Sequence, residues 1–137
     1  MAGSKSDYLS RRLLDHVLGG PAFVPPATVY FALFLEAPSD LGGGLEVSGG
    51  SYGRVSAAND AVTWSSALSS LTPEKKTNFE LVFPLSSDVW GTILAYAIFD
   101  ASTGGNILYW GNLTTPRTVI AGRTVKFQNG DLTILED

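Results

Sequence analysis

The chain has 137 residues, a net charge of −4 and no cysteine. Its length fits one domain with an ordinary core, and the lack of cysteine excludes disulfides and thiolate metal sites. Charged residues make up only 16 % of the sequence and lysines and arginines form no run, which argues against nucleic-acid binding. The sequence contains no stretch of about 18 apolar residues, so no membrane span is predicted. Residues 1–7 lack the apolar core of a signal peptide.

The first predicted element is a helix from Ser6 to Leu18. Serine or aspartate at its start can cap free backbone N–H groups, and the Gly-Gly-Pro sequence at 19–21 ends it. Apolar residues at helical spacing form one stripe along it, and they include Leu9, Leu13 and Val17. We therefore divide the chain into an N-terminal arm with an amphipathic helix at 1–20 and a β domain at 21–137.

The rest of the chain has the pattern of β-strands separated by turns. Residues 28–35 are apolar on both faces, so we place this strand centrally, and residues 59–78 read as a long polar surface excursion. The predicted strands cover 28–35, 54–58, 79–83, 90–99, 106–111, 118–120, 123–127 and 132–135. About eight short strands indicate a mostly β fold, a single β-sandwich or jelly-roll-like domain with one N-terminal α-helix.

Residues with catalytic or metal-binding chemistry do not form a recognisable motif. The single histidine, His16, lies near the end of the predicted helix, where a structural role is the common one. Most carboxylates fall in predicted turns, where aspartate caps backbone groups, and the glycines at 42–44 and 49–50 do not match a phosphate loop. We therefore predict no enzyme activity, no cofactor and no metal site.

Aromatic side chains are the ambiguous feature of the sequence, because they are common in cores, in subunit interfaces and in sugar-binding platforms. Trp90, Tyr96 and Trp110 lie on predicted strands, so we expect core positions for at least part of that set. Trp64 lies in the polar excursion and is the best candidate for an exposed contact. The residues that we predict to form an interface are Tyr8, Leu9, Leu13, Val17, Tyr52 and Trp64.

Several blocks of the chain resemble a family of small tailed-phage virion structural proteins, often labelled tail-fibre proteins. The matching blocks include Ser6-Asp7-Tyr8-Leu9, Leu14-Asp15-His16-Val17-Leu18-Gly19-Gly20, Pro25-Pro26-Ala27-Thr28-Val29-Tyr30, Glu46-Val47-Ser48-Gly49-Gly50-Ser51-Tyr52-Gly53-Arg54 and Val89-Trp90-Gly91-Thr92. They span nearly the whole chain in order. The resemblance implies a virion protein assembled in the cytoplasm of the bacterial host, and it brings no catalytic motif.

Three functions are compatible with these features. The expected function is capsid decoration, in which copies of the chain bind the phage major capsid protein and one another. The chain lacks the long trimeric repeats common in fibres, which favours this reading. The first alternative is a tail or tail-fibre component that contacts other tail proteins and the host surface. The second is a carbohydrate-binding module.

Overall fold

The computed structural model describes residues 2–68 and 71–136, and within them the chain forms one helix and ten strands. The elements are β1 Ala2–Lys5, α1 Asp7–Val17, β2 Thr28–Glu36, β3 Leu45–Glu46, β4 Val55–Ala58, β5 Glu74–Lys76, β6 Leu81–Val82, β7 Gly91–Phe99, β8 Ile107–Val119, β9 Lys126–Phe127 and β10 Thr133–Leu135. The prediction of a mostly β chain with one N-terminal helix is confirmed. Among the described residues, no helix is long and apolar enough to cross a membrane.

Eight of the strands form one mixed sheet in the order β3-β2-β7-β8-β1-β10-β5, and β4 pairs with β2 beside β3. Strands β6 and β9 form a separate two-stranded sheet. Strand β1 connects the two halves of the large sheet, since Ser4 and Lys5 pair antiparallel with β8 whereas Ala2 and Gly3 pair parallel with β10. This arrangement is consistent with the predicted β-sandwich-like domain.

Strand β2 is apolar on both faces because each face packs into a core. Successive side chains of a strand alternate between faces, and Phe31 and Leu33 enter the larger core while Ala32 and Phe34 enter a smaller one. The smaller core also contains alternate residues of β7, among them Phe99. The predicted central position of this strand is confirmed, since β2 pairs with β7 on one side and with β3 and β4 on the other.

The helix begins one residue after the predicted start because Ser6 is its N-cap. The Ser6 hydroxyl accepts a hydrogen bond from the Leu9 backbone N–H at 3.2 Å and donates one to the Ile107 carbonyl at 2.5 Å. This buried serine therefore caps the helix and attaches it to β8. Strand β1, which precedes the cap, was not predicted. The division into segments 1–20 and 21–137 stays a prediction, but the two segments share one sheet through β1.

Strand β8 is longer than the two separate strands predicted at 106–111 and 118–120. It runs through Pro116 without a break in strand geometry. Its pairing with β7 shifts register between Ile93 and Ala95, whose partners are Arg117 and Asn112. Pro116 lies in this irregular part of the ladder, where a residue without an N–H group is tolerated. Conversely, the strand predicted at 79–83 is shorter and covers only Leu81–Val82.

Candidate interaction surface

An open, mainly apolar groove with a volume of about 490 Å³ lies beside α1. The inner face of α1, the extended segment before β2, the polar excursion and the ends of β8 and β10 form its walls. Its lining includes Leu9, Leu13, Phe23, Pro25, Pro26, Trp64, Ala67, Pro73, Ile98, Leu108, Tyr109, Ile134 and Leu135. Apolar concavities of about 300–1,000 Å³ are typical of binding sites, so this groove is a candidate binding region.

Three of the predicted interface residues, Leu9, Leu13 and Trp64, meet in this groove. Leu9 is 4 % exposed and belongs to the larger core, and Leu13 is partly buried against the same core. Their spacing of four residues places them on one helix face, as the predicted apolar stripe requires. Leu9 therefore serves mainly the fold of its own chain, and only its edge borders the groove.

The prediction that Trp64 is an exposed contact is wrong. Its side chain is only 8 % exposed, and its ring centroid lies 5.9 Å from that of Phe31. The polar excursion folds back on itself through a bridge between Trp64 and Thr77 and a hydrogen bond from the Ser65 N–H to the Lys76 carbonyl. The polar composition of the segment concealed this return, which directs the indole into the core.

Tyr8 and Val17 occupy different parts of the surface from the groove. The Tyr8 ring lies 5.4 Å from the guanidinium carbon of Arg12, and Tyr8 borders a second cleft, of about 450 Å³, with the glycine loop at 42–44. Val17 is 71 % exposed, and Leu14 and Leu18 beside it are 59 % and 76 % exposed. The outer side of α1 is therefore an apolar stripe without cover in the single chain.

Tyr52 is partly buried and closes one edge of β2. Its hydroxyl accepts a hydrogen bond from the Leu33 N–H at 3.0 Å and donates one to Glu46 Oε2 at 2.7 Å. Its ring stacks on Phe83 and meets Trp90 edge-on. Burial, together with the Glu46 carboxylate, raises the pKa of Tyr52 well above its ordinary value. Tyr52 is thus a structural residue with little free surface for a partner.

Arg54 and Glu46 form an ion pair that the sequence did not predict. The Arg54 guanidinium donates to both Glu46 carboxylate oxygens, at 2.9 and 2.8 Å, and to the carbonyls of Ala101 and Gly104. It also lies 3.6 Å from the ring centroid of Phe99. Glu46 precedes the glycine turn at 49–50 and Arg54 follows it, and this placement of opposite charges was the sequence signal for the ion pair. Nothing near Arg54 in the sequence predicts its contact with the loop at 100–105.

Several residues considered for chemistry have structural roles. His16 Nδ1 accepts a hydrogen bond from the Phe23 N–H at 3.0 Å, which holds the segment after the helix. The Asp60 carboxylate accepts from the Thr63 and Val62 N–H groups, and these bonds lower its pKa. The expected capping role of turn aspartates is thus seen here. Within the described ranges, histidine and carboxylate side chains form no group of three or more suited to a metal ion.

The remaining aromatic predictions are largely confirmed. Trp90 and Tyr96 are 4 % and 1 % exposed and belong to the larger core. Trp110 is partly buried against the smaller core, and its indole N–H donates to Asp40 Oδ1 at 2.9 Å. This bond ties the loop after β2 to β8.

Comparison with known protein families shows a match for this chain. The family model described as podophage GP4 fiber I protein gp80 matches residues 4–135. No curated protein matches the sequence. The match includes the helix, the central strands and nearly all of the candidate interaction surface, and it confirms the resemblance to a tail-fibre-like structural family. The chain therefore belongs to the podophage GP4 fiber I protein gp80 family and is a phage virion structural protein.

Proposed function

We propose that this protein is a structural component of a podophage fibre that works through non-covalent contacts with other virion proteins and with copies of itself. The main observation in support of this proposal is the family match over residues 4–135. The family description names a fibre, so it supports the tail-fibre alternative better than capsid decoration, which was our expectation from the sequence. A specific contact with the major capsid protein has no support of this kind.

The outer stripe of α1 and the groove beside it are the surfaces that we assign to these contacts. Leu14, Val17 and Leu18 expose apolar side chains on the helix, and Leu13 joins this stripe to the groove. Contiguous exposed apolar side chains favour association with another protein surface. In a virion with repeated copies, weak contacts at each copy add up to a stable assembly.

We further propose that the protein has no catalytic activity and that it assembles with its partners in the host cytoplasm. His16, Asp60 and Glu46 each have a structural hydrogen-bonding role. The carbohydrate-binding alternative is weakened by the burial of Trp64, since a sugar platform needs an accessible aromatic face.

Gold labelling of intact virions with an antibody against this chain tests the proposed location. Label confined to the tail or its fibres is the expected result. Label spread over the head would contradict the fibre role and would restore capsid decoration. The partner surface is tested by Val17→Lys, which we expect to reduce incorporation into virions while purified protein keeps its thermal stability. Ser102→Lys, in the exposed hairpin loop, is the matched control and should be incorporated normally.

A further inference from the structure

Strand β4 has an open edge. It pairs only with β2 among the described strands. The Asn59 N–H donates to the Ala27 carbonyl at 2.9 Å, and the register continues with Ala57 opposite Val29. Hydrogen-bonded and non-hydrogen-bonded pairs alternate along an antiparallel ladder. Ala57 therefore bonds to β2, whereas Ser56 and Ala58 direct their backbone N–H and C=O groups away from the sheet.

The residues of β4 carry no charge and no proline against pairing, and Ser56 and Ala58 are exposed. Edge strands are commonly blunted by lysine, proline, a bulge or a covering segment, but β4 has the sequence Val-Ser-Ala-Ala. The nearest charged side chains before and after β4 interact with other groups of their own chain. The Arg54 side chain is 7 % exposed and held by Glu46, and the Asp60 carboxylate accepts hydrogen bonds from its own turn.

Strand β5, at the opposite end of the sheet, differs from β4 both in its charge and in the covering of its outer edge. Strand β5 has the sequence Glu-Lys-Lys. Its outer edge is also covered, since the Ser65 N–H donates to the Lys76 carbonyl and Trp64 forms a bridge with Thr77. Of the two strands β4 and β5, β4 is therefore the one without charged residues and without a described strand or bridge on its outer edge.

We propose that β4 pairs antiparallel with β4 of a second copy of this chain about a two-fold axis. The free groups of both strand residues are satisfied when Ser56 of one copy lies opposite Ala58 of the other, which forms four backbone hydrogen bonds. Ala57 then faces Ala57 of the second copy. Beyond the strand ends, the same register sets Arg54 opposite Asp60, so no like charges meet there. Because both side chains are engaged within their own chain, the contact depends on the backbone hydrogen bonds of the strands.

A second copy suits this edge because a two-fold contact uses the same patch twice, and the outward N–H and C=O groups of this patch are complementary to themselves. This contact specifies how copies of the chain bind one another, which is one part of the proposed function. It rests on that function only in one respect, namely that many copies in a virion would strengthen a weak pairwise contact. With four residues per strand, the dimer in solution is weak and its population rises with protein concentration.

Cysteine cross-linking provides a sharp test because the natural chain has no cysteine. In the proposed register, Ala57 and its copy form a non-hydrogen-bonded pair, whose Cβ atoms lie roughly 4.5–5.5 Å apart, close to the roughly 3.5–4.5 Å separation in disulfides. We expect oxidised Ala57→Cys to form covalent dimers at least about tenfold faster than Ser102→Cys in the exposed hairpin loop. Equal rates, or no dimer at Ala57→Cys, would overturn the proposal.

A second change tests the hydrogen bonds themselves. Ser56→Pro removes an N–H group that points outward, so the ladder with β2 keeps its bonds. In the Ala57→Cys background, we expect Ser56→Pro to slow cross-linking at least about tenfold, because two donors are lost per dimer. Ser56→Lys is the second variant, used if thermal unfolding shows that proline destabilises the monomer. Cross-linking that neither change slows would refute pairing through β4.

The cross-linking of purified protein tests the β4 contact, and the labelling of virions tests the fibre location, so one proposal can be refuted without the other. Absence of the β4 dimer in solution would leave the gold-labelling result unaffected, and label on the head would leave the cross-linking result unaffected.

Discussion

Replacement of Arg54 by methionine is expected to destabilise the protein strongly. Methionine keeps an unbranched apolar stem but removes the guanidinium, which makes four hydrogen bonds to Glu46, Ala101 and Gly104. The change leaves the Glu46 carboxylate with the Tyr52 hydroxyl as its remaining hydrogen-bond donor in this network. It also removes the cation from the Phe99 ring. The segments on both sides of the glycine turn and the loop at 100–105 then lose their common link.

The expected loss follows from burial. Removal of one partner from a buried ion pair costs about 3–5 kcal/mol, and the Arg54 side chain is only 7 % exposed. The Glu46 side chain is 25 % exposed, so water partly solvates the remaining carboxylate. We therefore expect a loss near the lower end, about 3 kcal/mol in the free energy of unfolding. Domains have only about 5–15 kcal/mol in total, so the effect is large.

Urea unfolding at pH 7, followed by tryptophan fluorescence, measures this free energy. Arg11→Met is the matched control, because Arg11 is 73 % exposed and lies 3.9 Å from Asp7 in a surface pair. Such pairs contribute about 0–1 kcal/mol. A double-mutant cycle with Glu46→Gln isolates the coupling between the two side chains. If Arg54→Met costs no more than Arg11→Met, the network does not stabilise the fold and the reasoning is refuted.

Three further changes test the core. Trp64→Ala should lower the free energy of unfolding by about 3–5 kcal/mol, whereas Val17→Ala should change it by less than about 0.5 kcal/mol; equal effects in urea unfolding would contradict the burial of Trp64. Gly3→Ala places a Cβ 2.5 Å from the Tyr96 hydroxyl and should cost about 1–3 kcal/mol; Gly53→Ala, with no atom within 4 Å, should be nearly neutral in the same assay. Tyr96→Phe removes a buried hydroxyl that has no partner, so stability at pH 7 should be unchanged or higher. Because burial raises the pKa of Tyr96, the wild-type protein should lose stability as pH rises above about 10, and Tyr96→Phe should show a shallower loss.

The candidate surface could be predicted only in part. Leu9 and Leu13 follow from helical spacing, which is a local property, and both border the groove. Trp64 was correctly singled out but assigned to the wrong environment, because its burial depends on a bridge to Thr77 within a folded excursion. The Arg54–Glu46 pair was missed because the loop that completes it lies about fifty residues further along the chain.

The sequence by itself determined the elements that depend on neighbouring residues. The serine cap and apolar stripe specify α1, and the long apolar run of β2 specifies a strand covered on both faces. Similarity along residues 4–135 determined the family. In each case, the information lies in short segments or in their order along the chain, so it can be read without knowing the fold.

Only the tertiary structure decided the features that need pairing between distant segments. Ala2–Lys5 forms a strand because β8 and β10 hold it from both sides, and Pro116 stays within β8 because the ladder with β7 is irregular there. The open edge of β4 is likewise a property of the strand order. Strand pairing joins residues far apart in sequence, and local composition carries little information about which partner each strand finds.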